Sequence, residues 1–98
     1  MNFEWDNKKA ASNLLKHGLS FDEAATVFFD DDALTFPDVK HSSEGEARYF
    51  CVGYTDMRVI IVVVFAFRKK GNGILIRVIS ARRAGKSERK MYHDKNIG

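Results

Sequence analysis

The feature that most constrains this fold is an unbroken run of nine apolar residues, Val59 to Phe67. All of them except Ala66 are β-branched or aromatic, which favours an extended strand over a helix. A run without polar positions is expected of a strand that is covered on both faces. Nine residues are too few to span a bilayer as a helix. The run therefore predicts the central strand of a sheet in a protein without a membrane span.

Strand-like segments lie on either side of this run. Residues 48–54 precede it, residues 74–82 follow it, and residues 33–36 form a shorter candidate upstream. The connections at residues 55–57 and 69–73 are short and have the composition of hairpin turns. Because short connections join antiparallel neighbours, we predict an antiparallel arrangement of these strands.

Two helices are predicted in the first part of the chain. The first begins after the N-cap residue Asp6 and ends at Gly18, and the second begins at Ser20, which has capping-box spacing with Glu23. Their apolar stripes are Ala10, Ala11, Leu14 and Leu15 in the first and Phe21, Ala24, Ala25 and Phe28 in the second.

A last helix is predicted from about Lys86 to Lys95, with Gly85 as its cap and Glu88 at the N3 position. With a short strand at residues 3–5, the order of elements is β-α-α-β-β-β-β-α. The predicted fold class is α+β: one domain over residues 1–98, with a small twisted antiparallel sheet packed by helices on one side.

Charge is divided unevenly along the chain. Residues 1–46 carry 4 basic and 10 acidic groups, a net charge of −6, whereas residues 47–98 carry 12 basic and 3 acidic groups, a net charge of +9. A strongly basic half is typical of a surface that binds nucleic acid or another polyanion. The alternative, equally open at this point, is that the two halves neutralise each other in the fold.

Residue types argue against several classes of site. The one cysteine, Cys51, cannot form an intrachain disulfide, which fits a reducing cytoplasm. The N-terminus lacks the basic and apolar segments of a signal peptide. His17, His41 and His93 lie far apart in the sequence, and the acidic run at residues 30–32 is typical of a solvated turn. We therefore predict a cytoplasmic protein without a metal or another cofactor.

The chemistry that these residues suit is metal-free cleavage of an RNA phosphodiester. A base must take the 2′-hydroxyl proton, cations must stabilise the charge at phosphorus, and an acid must protonate the leaving 5′-oxygen. Alternation along the last strand predicts Arg77 on one face, where it pairs with Glu88 or another acid, and Arg82 on the other face. The alternative to an RNA-cleaving site is a basic face that is only solvated, with the tyrosines packed in the core.

Two sets of motifs resemble the BrnT toxin family. The first set is Phe3-Glu4-Trp5-Asp6, Lys9 to Leu14, Lys16-His17-Gly18 and Ser20 to Ala24. The second set is Ile76 to Ala84, Glu88-Arg89 and Tyr92, with Glu46, Arg48, Gly53 and Arg58 between the two sets. The resemblance covers almost the whole chain, and the motifs occur in the same order.

This resemblance implies a ribonuclease toxin of a type II toxin–antitoxin system, with a compact fold similar to RelE-type toxins. It implies a BrnA-type antitoxin that carries a ribbon-helix-helix DNA-binding dimer, so that operator DNA is contacted only through the antitoxin. Free toxin is expected to cut RNA and to arrest translation and growth.

Candidate site residues follow from residue type and from this resemblance. The catalytic candidates are Lys16, His17, Arg68, Arg82 and Tyr92. The candidates for binding RNA phosphates are Arg77, Arg83, Arg89, Lys69 and Lys70.

One departure from the family pattern leaves an alternative open. Where the family often has a His or Tyr, then Thr and an acid, this chain has Phe65-Ala66-Phe67 before Arg68. Phenylalanine cannot transfer protons, so a weakened or inactive module that only binds an antitoxin or nucleic acid is the alternative function. A sequence-specific DNA-binding module is a third hypothesis.

Overall fold

The computed structural model describes residues 1–97, so Gly98, the last residue of the predicted domain, lies outside the described residues. The strands are β1 (Asn2–Glu4), β2 (Leu34–Pro37), β3 (Arg48–Tyr54), β4 (Ile60–Lys70) and β5 (Gly73–Arg83). The helices are α1 (Asn7–His17), α2 (Phe21–Ala25) and α3 (Lys86–Ile97), with short 3-10 turns at Thr26–Phe29 and Val39–His41. All the strands belong to one sheet in the order β1-β5-β4-β3-β2.

The α+β class is confirmed, but the sheet is mixed rather than wholly antiparallel. Strands β2 to β5 pair antiparallel with their neighbours, as the short connections require. Strand β1 pairs parallel with β5, and Glu4 lies opposite Arg77. No hairpin joins these two strands, because they are the first and the last in the chain, so either direction is open to them. The similarity to RelE-type toxins stays a prediction.

The expectation that all helices lie on one side of the sheet is wrong. Strand β4 is covered on both faces, as its apolar run predicts. On one face, Ile61, Val63 and Phe65 pack with Leu19, Phe21, Ala24 and Val27 of the α1–α2 region. On the other face, Val52 and Val62 pack with Ala84 and with Tyr92 of α3. We call these two surfaces the α1–α2 face and the α3 face.

Helix α1 has the predicted ends but not the predicted apolar stripe. The Asp6 carboxylate accepts hydrogen bonds from the backbone N–H groups of Lys8 and Lys9, at 2.8 and 3.2 Å. These bonds lower the pKa of Asp6. Gly18 adopts the left-handed conformation with φ of 68°, which ends the helix. Ala10 packs against the core, but Leu14 and Leu15 are 51% and 91% exposed, so the leucines of the predicted stripe do not face it.

The buried residue of α1 is instead Asn13. Its amide donates to the Leu19 carbonyl at 3.1 Å and accepts from the Ala81 N–H at 3.1 Å. Strand β1 pairs with β5 only as far as Arg77, so the β5 edge beyond that point has free backbone groups. The Asn13 side chain satisfies one of them and holds α1 beside β5.

Strand β5 carries a β-bulge that changes which residues share a face. Val64 pairs with Ser80 but Phe65 pairs with Val78, so Ile79 has no partner on β4. Arg77 and Arg82 therefore lie opposite Ala66 and Val62, which are on the same face of β4. The predicted separation of these two arginines onto opposite faces is wrong, because the strict alternation that it assumed is broken at Ile79.

Candidate functional site

Helix α3 covers only part of its face of the sheet and leaves a pocket of about 300 Å³. Its floor is formed by side chains of the three inner strands: Phe50, Val62, Val64 and Ser80. The polar and charged side chains around it are His17, Asp38, His41, Arg82 and Glu88. The pocket thus combines imidazole, guanidinium and carboxylate groups over an apolar floor.

Arg82 is fixed at one end of the pocket by Glu88. Its two terminal nitrogens donate to the two carboxylate oxygens at 2.8 and 2.6 Å. The Arg82 hydrogen bond lowers the pKa of Glu88, and the same bond raises the pKa of Arg82. Glu88 also accepts from the Gly85 N–H at 2.7 Å, as its predicted capping position requires. The guanidinium charge is therefore held in a fixed orientation while about half of the side chain stays exposed.

Arg77 does not take Glu88 as its partner. It donates to Glu4 of β1 at 3.0 Å, across the parallel pair of edge strands. The bulge at Ile79 places Arg77 on the α3 face, but it does not line the pocket.

His17 reaches the pocket from the β5 side of the sheet. It lies one helical turn after Asn13, whose hydrogen bond to Ala81 holds α1 against β5. It is in the last turn of α1, where cations are favoured by the helix dipole. His17 and Arg82, two residues singled out from the sequence, are thus brought to one pocket.

His41 and Asp38 are pocket residues that the sequence reasoning missed. The Nδ1 atom of His41 lies 2.8 Å from a carboxylate oxygen of Asp38. Both residues follow β2, and the pair lies on the opposite side of the pocket floor from α1. An acid and a histidine three residues apart are the signal that could have indicated them, but this spacing is common in polar connections.

The other predicted site residues line no part of this pocket. Lys16 is exposed on α1, and Arg68 is 3.5 Å from Glu46 near the far end of β4. Lys69 and Lys70 are exposed at the end of β4, and Arg83 is exposed at the end of β5. Arg89 donates to the Ala84 carbonyl at 3.0 Å from the first turns of α3.

Tyr92 lies in a different pocket, of about 850 Å³, that also involves Asp30 and Tyr54. Its ring is buried against Tyr54, with ring centroids 5.4 Å apart, and its hydroxyl donates to Asp30 at 2.9 Å. Burial, and next the hydrogen bond to Asp30, raise the pKa of Tyr92 well above its ordinary value. The structure therefore does not bring Tyr92 together with His17 and Arg82.

Phe65 and Phe67, the departures from the family pattern, lie on the α1–α2 face. Phe65 is buried and its ring contacts Phe28, with centroids 4.9 Å apart. Phe67 packs edge-on against Phe65 and Tyr49 near the end of the sheet. Neither side chain lines the pocket beside Arg82. The two positions at which this chain differs from the family pattern are therefore not part of that pocket.

Comparison with known proteins decides the family. Residues 5–88 match the family model described as "Ribonuclease toxin, BrnT, of type II toxin-antitoxin system". The chain belongs to the BrnT family. A solved structure of a BrnT toxin, the ribonuclease toxin BrnT of Brucella abortus, is 28% identical in sequence, with a TM-score of 0.62. The match covers 88% of this chain and 99% of the Brucella chain. Among curated proteins no match is found.

Two other structural features, a membrane-spanning helix and a group of metal ligands, are absent from residues 1–97. Within residues 1–97, no helix has the length and apolar character needed to cross a membrane. In the same span, no three His, Cys, Asp or Glu side chains are grouped as metal ligands. Cys51 is a buried free thiol, and burial raises its pKa, which is typical of an inert cysteine.

Proposed function

We propose that this BrnT-family toxin is a metal-independent endoribonuclease and that the reaction takes place in the pocket on the α3 face. The observation that carries the proposal is that His17 and Arg82 line the same pocket. An imidazole can transfer protons near neutral pH, and a guanidinium can bind a phosphate with two parallel hydrogen bonds. Membership of a family of ribonuclease toxins supports RNA as the substrate.

The chemistry requires two proton-transfer groups and one cation beside the phosphate. The 2′-oxygen of a ribose attacks the adjacent phosphorus while the bond from phosphorus to the 5′-oxygen breaks. One basic group takes the 2′-hydroxyl proton, and one acidic group gives a proton to the leaving 5′-oxygen. Arg82 stabilises the extra negative charge on the phosphate oxygens. The products are a 2′,3′-cyclic phosphate and a 5′-hydroxyl end.

The remaining basic residues are proposed to bind the RNA backbone on either side of the cleaved bond. Arg68 and Arg77 share the α3 face with Arg82, and both are held in ion pairs near the surface. Lys69 and Lys70 lie at the end of β4, Arg83 follows Arg82 at the end of β5, and Arg89 lies in α3, where it donates to the Ala84 carbonyl. Such contacts position a polyanion without reading its sequence.

An antitoxin partner follows from the type II classification of the family. We propose a BrnA-type antitoxin with a ribbon-helix-helix dimer, which contacts operator DNA and covers the basic surface of the toxin. The free toxin then acts in the cytoplasm, where RNA cleavage inhibits translation and growth.

The test is RNA cleavage by the purified chain, with and without EDTA. We expect cleavage that survives EDTA and leaves 2′,3′-cyclic phosphate ends, identified by mass spectrometry. A chain that binds its antitoxin tightly but cleaves no RNA would instead be the inactive binding module. A chain that binds operator DNA sequence-specifically without the antitoxin would be a DNA-binding module.

A further inference from the structure

We propose that His41, held by Asp38, is the general base of the cleavage reaction and that His17 is the general acid. The inference rests on the proposed function and assigns its two proton transfers. The observations that carry it are the 2.8 Å contact between His41 Nδ1 and Asp38 and the position of both histidines around one pocket.

The contact with Asp38 determines which ring nitrogen of His41 is available. A carboxylate only accepts hydrogen bonds, so Nδ1 carries the proton and donates it to Asp38. In the neutral imidazole, Nε2 then keeps its lone pair and can accept a proton. The Asp38 side chain is 12% exposed, whereas that of His41 is 54% exposed, so a nearly buried carboxylate supports a solvent-accessible imidazole.

Hydrogen bonds to β3 fix the segment that carries this pair. The Asp38 N–H donates to the Arg48 carbonyl at 2.8 Å. The Ser42 hydroxyl donates to the Asp38 carbonyl at 2.8 Å and accepts from the Arg48 N–H at 2.9 Å. The His41 N–H donates to the Asp38 carbonyl at 3.3 Å. The imidazole is therefore presented from a short turn that is held to the sheet at both ends.

The two histidines approach the pocket from opposite sides. His41 comes from the β2–β3 side and His17 from the β5 side, and the floor between them spans β3, β4 and β5. Neighbouring strands are ~4.8 Å apart, so three strands span ~10 Å. That width accommodates a phosphodiester with a base on one side and an acid on the other. In-line displacement requires this arrangement, because the attacking and leaving oxygens are on opposite sides of phosphorus.

The proton balance of the step is complete. His41 Nε2 takes the proton of the 2′-hydroxyl as the bond from the 2′-oxygen to phosphorus forms. The bond from phosphorus to the 5′-oxygen breaks, and the His17 imidazolium gives its proton to that oxygen. Arg82 binds the non-bridging oxygens throughout. After release of the products, His41 loses the extra proton to water and His17 gains a new proton from water.

Charged and titratable side chains from three other elements line the same pocket. Arg82 of β5 and Glu88 of α3 line it together with His17 of α1. Arg48 of β3 contacts the segment that carries His41 only through its backbone N–H, which donates to Ser42, while its guanidinium pairs with Glu46. The pH dependence of cleavage reports these groups together, so each role must be assigned with variants rather than from the wild-type profile alone.

Single-site variants give the first test. His41→Ala and His41→Asn are expected to lower kcat/KM by about 10²–10⁴-fold, the usual contribution of a general acid–base group. His93→Ala is the matched control, because His93 is exposed on α3 and does not line the pocket. Circular dichroism checks that each variant is folded. If wild type cleaves RNA and folded His41 variants match His93→Ala, this inference is overturned while the proposed function stands.

Substitution at the leaving oxygen separates the acid from the base. The cleavage position of a mixed-sequence RNA oligonucleotide is mapped with wild type, and the oligonucleotide is then made with sulfur replacing the bridging 5′-oxygen at that position. A thiolate leaves without a proton, so the cleavage defect of His17→Ala relative to wild type is expected to be at least tenfold smaller on this substrate. The cleavage defect of His41→Ala is expected to stay the same. Rescue of His41→Ala but not of His17→Ala would reverse the assignment.

Asp38 is proposed as a positioning residue, since it acts through His41. Asp38→Asn keeps the shape of the side chain but removes the negative charge that favours the protonated ring. We expect Asp38→Asn to lower kcat/KM by less than His41→Ala does. One limb of the pH profile of kcat/KM should be missing in His41→Ala, and in Asp38→Asn the same limb should move to lower pH. A loss of activity with an unshifted profile would show that Asp38 only supports the fold.

Discussion

Arg77 and Arg82 lie on the same face of β5, although they are five positions apart in the strand. The bulged residue Ile79 between them accounts for this, since it adds one residue on β5 without a partner on β4. Arg82 therefore joins Ser80 at the pocket, while Ala81, which also borders the pocket, belongs to the core of the α1–α2 face. The bulge allows one strand to carry basic residues on the α3 face along its length and still seal the α1–α2 core.

Arg82 is predicted to be the main phosphate-binding group. Arg82→Ala is expected to lower kcat/KM by about 10²–10³-fold, the usual effect of removing one charge-stabilising donor from an active site. Arg82→Lys is expected to have a kcat/KM between those of Arg82→Ala and wild type. It keeps the positive charge, but an ammonium group cannot make two parallel hydrogen bonds to a phosphate. Steady-state cleavage of the mapped oligonucleotide provides the measurement.

The matched control for Arg82 is Arg83→Ala, which removes the next arginine, exposed and outside the pocket. We expect Arg83→Ala to lower kcat/KM by less than about tenfold, since a surface phosphate contact contributes about as little as an exposed ion pair. Equal losses in both variants would contradict a specific role for Arg82.

Glu88 is predicted to make stability depend on pH in the acidic range. Its pKa is lowered in the folded chain from an ordinary value of 4.5, chiefly by the hydrogen bond from Arg82. Its contribution is therefore fully present above about pH 4.5 and is lost as pH falls through the lower, folded pKa. Urea unfolding of wild type and Glu88→Gln is expected to differ at pH 6, and the difference is expected to shrink progressively as pH falls below 4.5. A difference that stays constant down to the lowest pH would contradict this linkage.

Asn13 is predicted to be the most important polar residue for stability in α1. Asn13→Ala leaves the Leu19 carbonyl and the Ala81 N–H without their partner, at a cost of about 1–3 kcal/mol for each buried group that stays unsatisfied. Cleavage is also expected to fall, because His17 is one turn away on the same helix. Urea denaturation measures the first effect, and Ser12→Ala, at an exposed position, is the control. Equal stability of the two variants would contradict the role of Asn13.

Local sequence signals predicted the elements of this fold well. The apolar run of residues 59–67 indicated a central strand, and Asp6 and Gly18 marked the ends of α1. These features depend on near neighbours in the chain. The bulge at Ile79 has no such signal, because the segment contains neither glycine nor proline. The burial of Asn13 depends on how far β1 extends along β5, which is a property of the tertiary structure.

The candidate site was predictable only in its residue types. His17 and Arg82 were singled out because imidazole and guanidinium suit the chemistry, but their shared pocket depends on α1 lying beside β5. His41 was overlooked because its connection has the composition of a mobile loop, and only the contacts of Ser42 with β3 show that it is held. Residue type and the family resemblance both indicate Tyr92, whereas its burial and its bond to Asp30 depend on the packing of α3.

Phe65 and Phe67 are predicted to act on stability rather than on cleavage. Phe65→Ala removes a fully buried ring and is expected to cost about 3–5 kcal/mol in the free energy of unfolding. Phe67→Ala, at a half-exposed position on the same face, is expected to keep kcat/KM within about twofold and to cost less than about 1.5 kcal/mol. A large loss of cleavage in a folded Phe67→Ala variant would place the reaction on the α1–α2 face instead of the α3 face.

Tyr92 is predicted to support the fold without transferring a proton. Tyr92→Phe removes the hydroxyl bound to Asp30, but Asp30 still accepts a hydrogen bond from the Tyr54 N–H at 2.9 Å. The expected cost is about 1 kcal/mol, with kcat/KM unchanged.

Because the folded pKa of Tyr92 lies above its ordinary value of 10.0, wild type should lose this contribution as pH rises above 10. Tyr92→Phe should lack that part of the alkaline loss in urea unfolding between pH 8 and 11. A folded Tyr92→Phe variant with a loss of cleavage as large as that of His17→Ala would return Tyr92 to the catalytic residues.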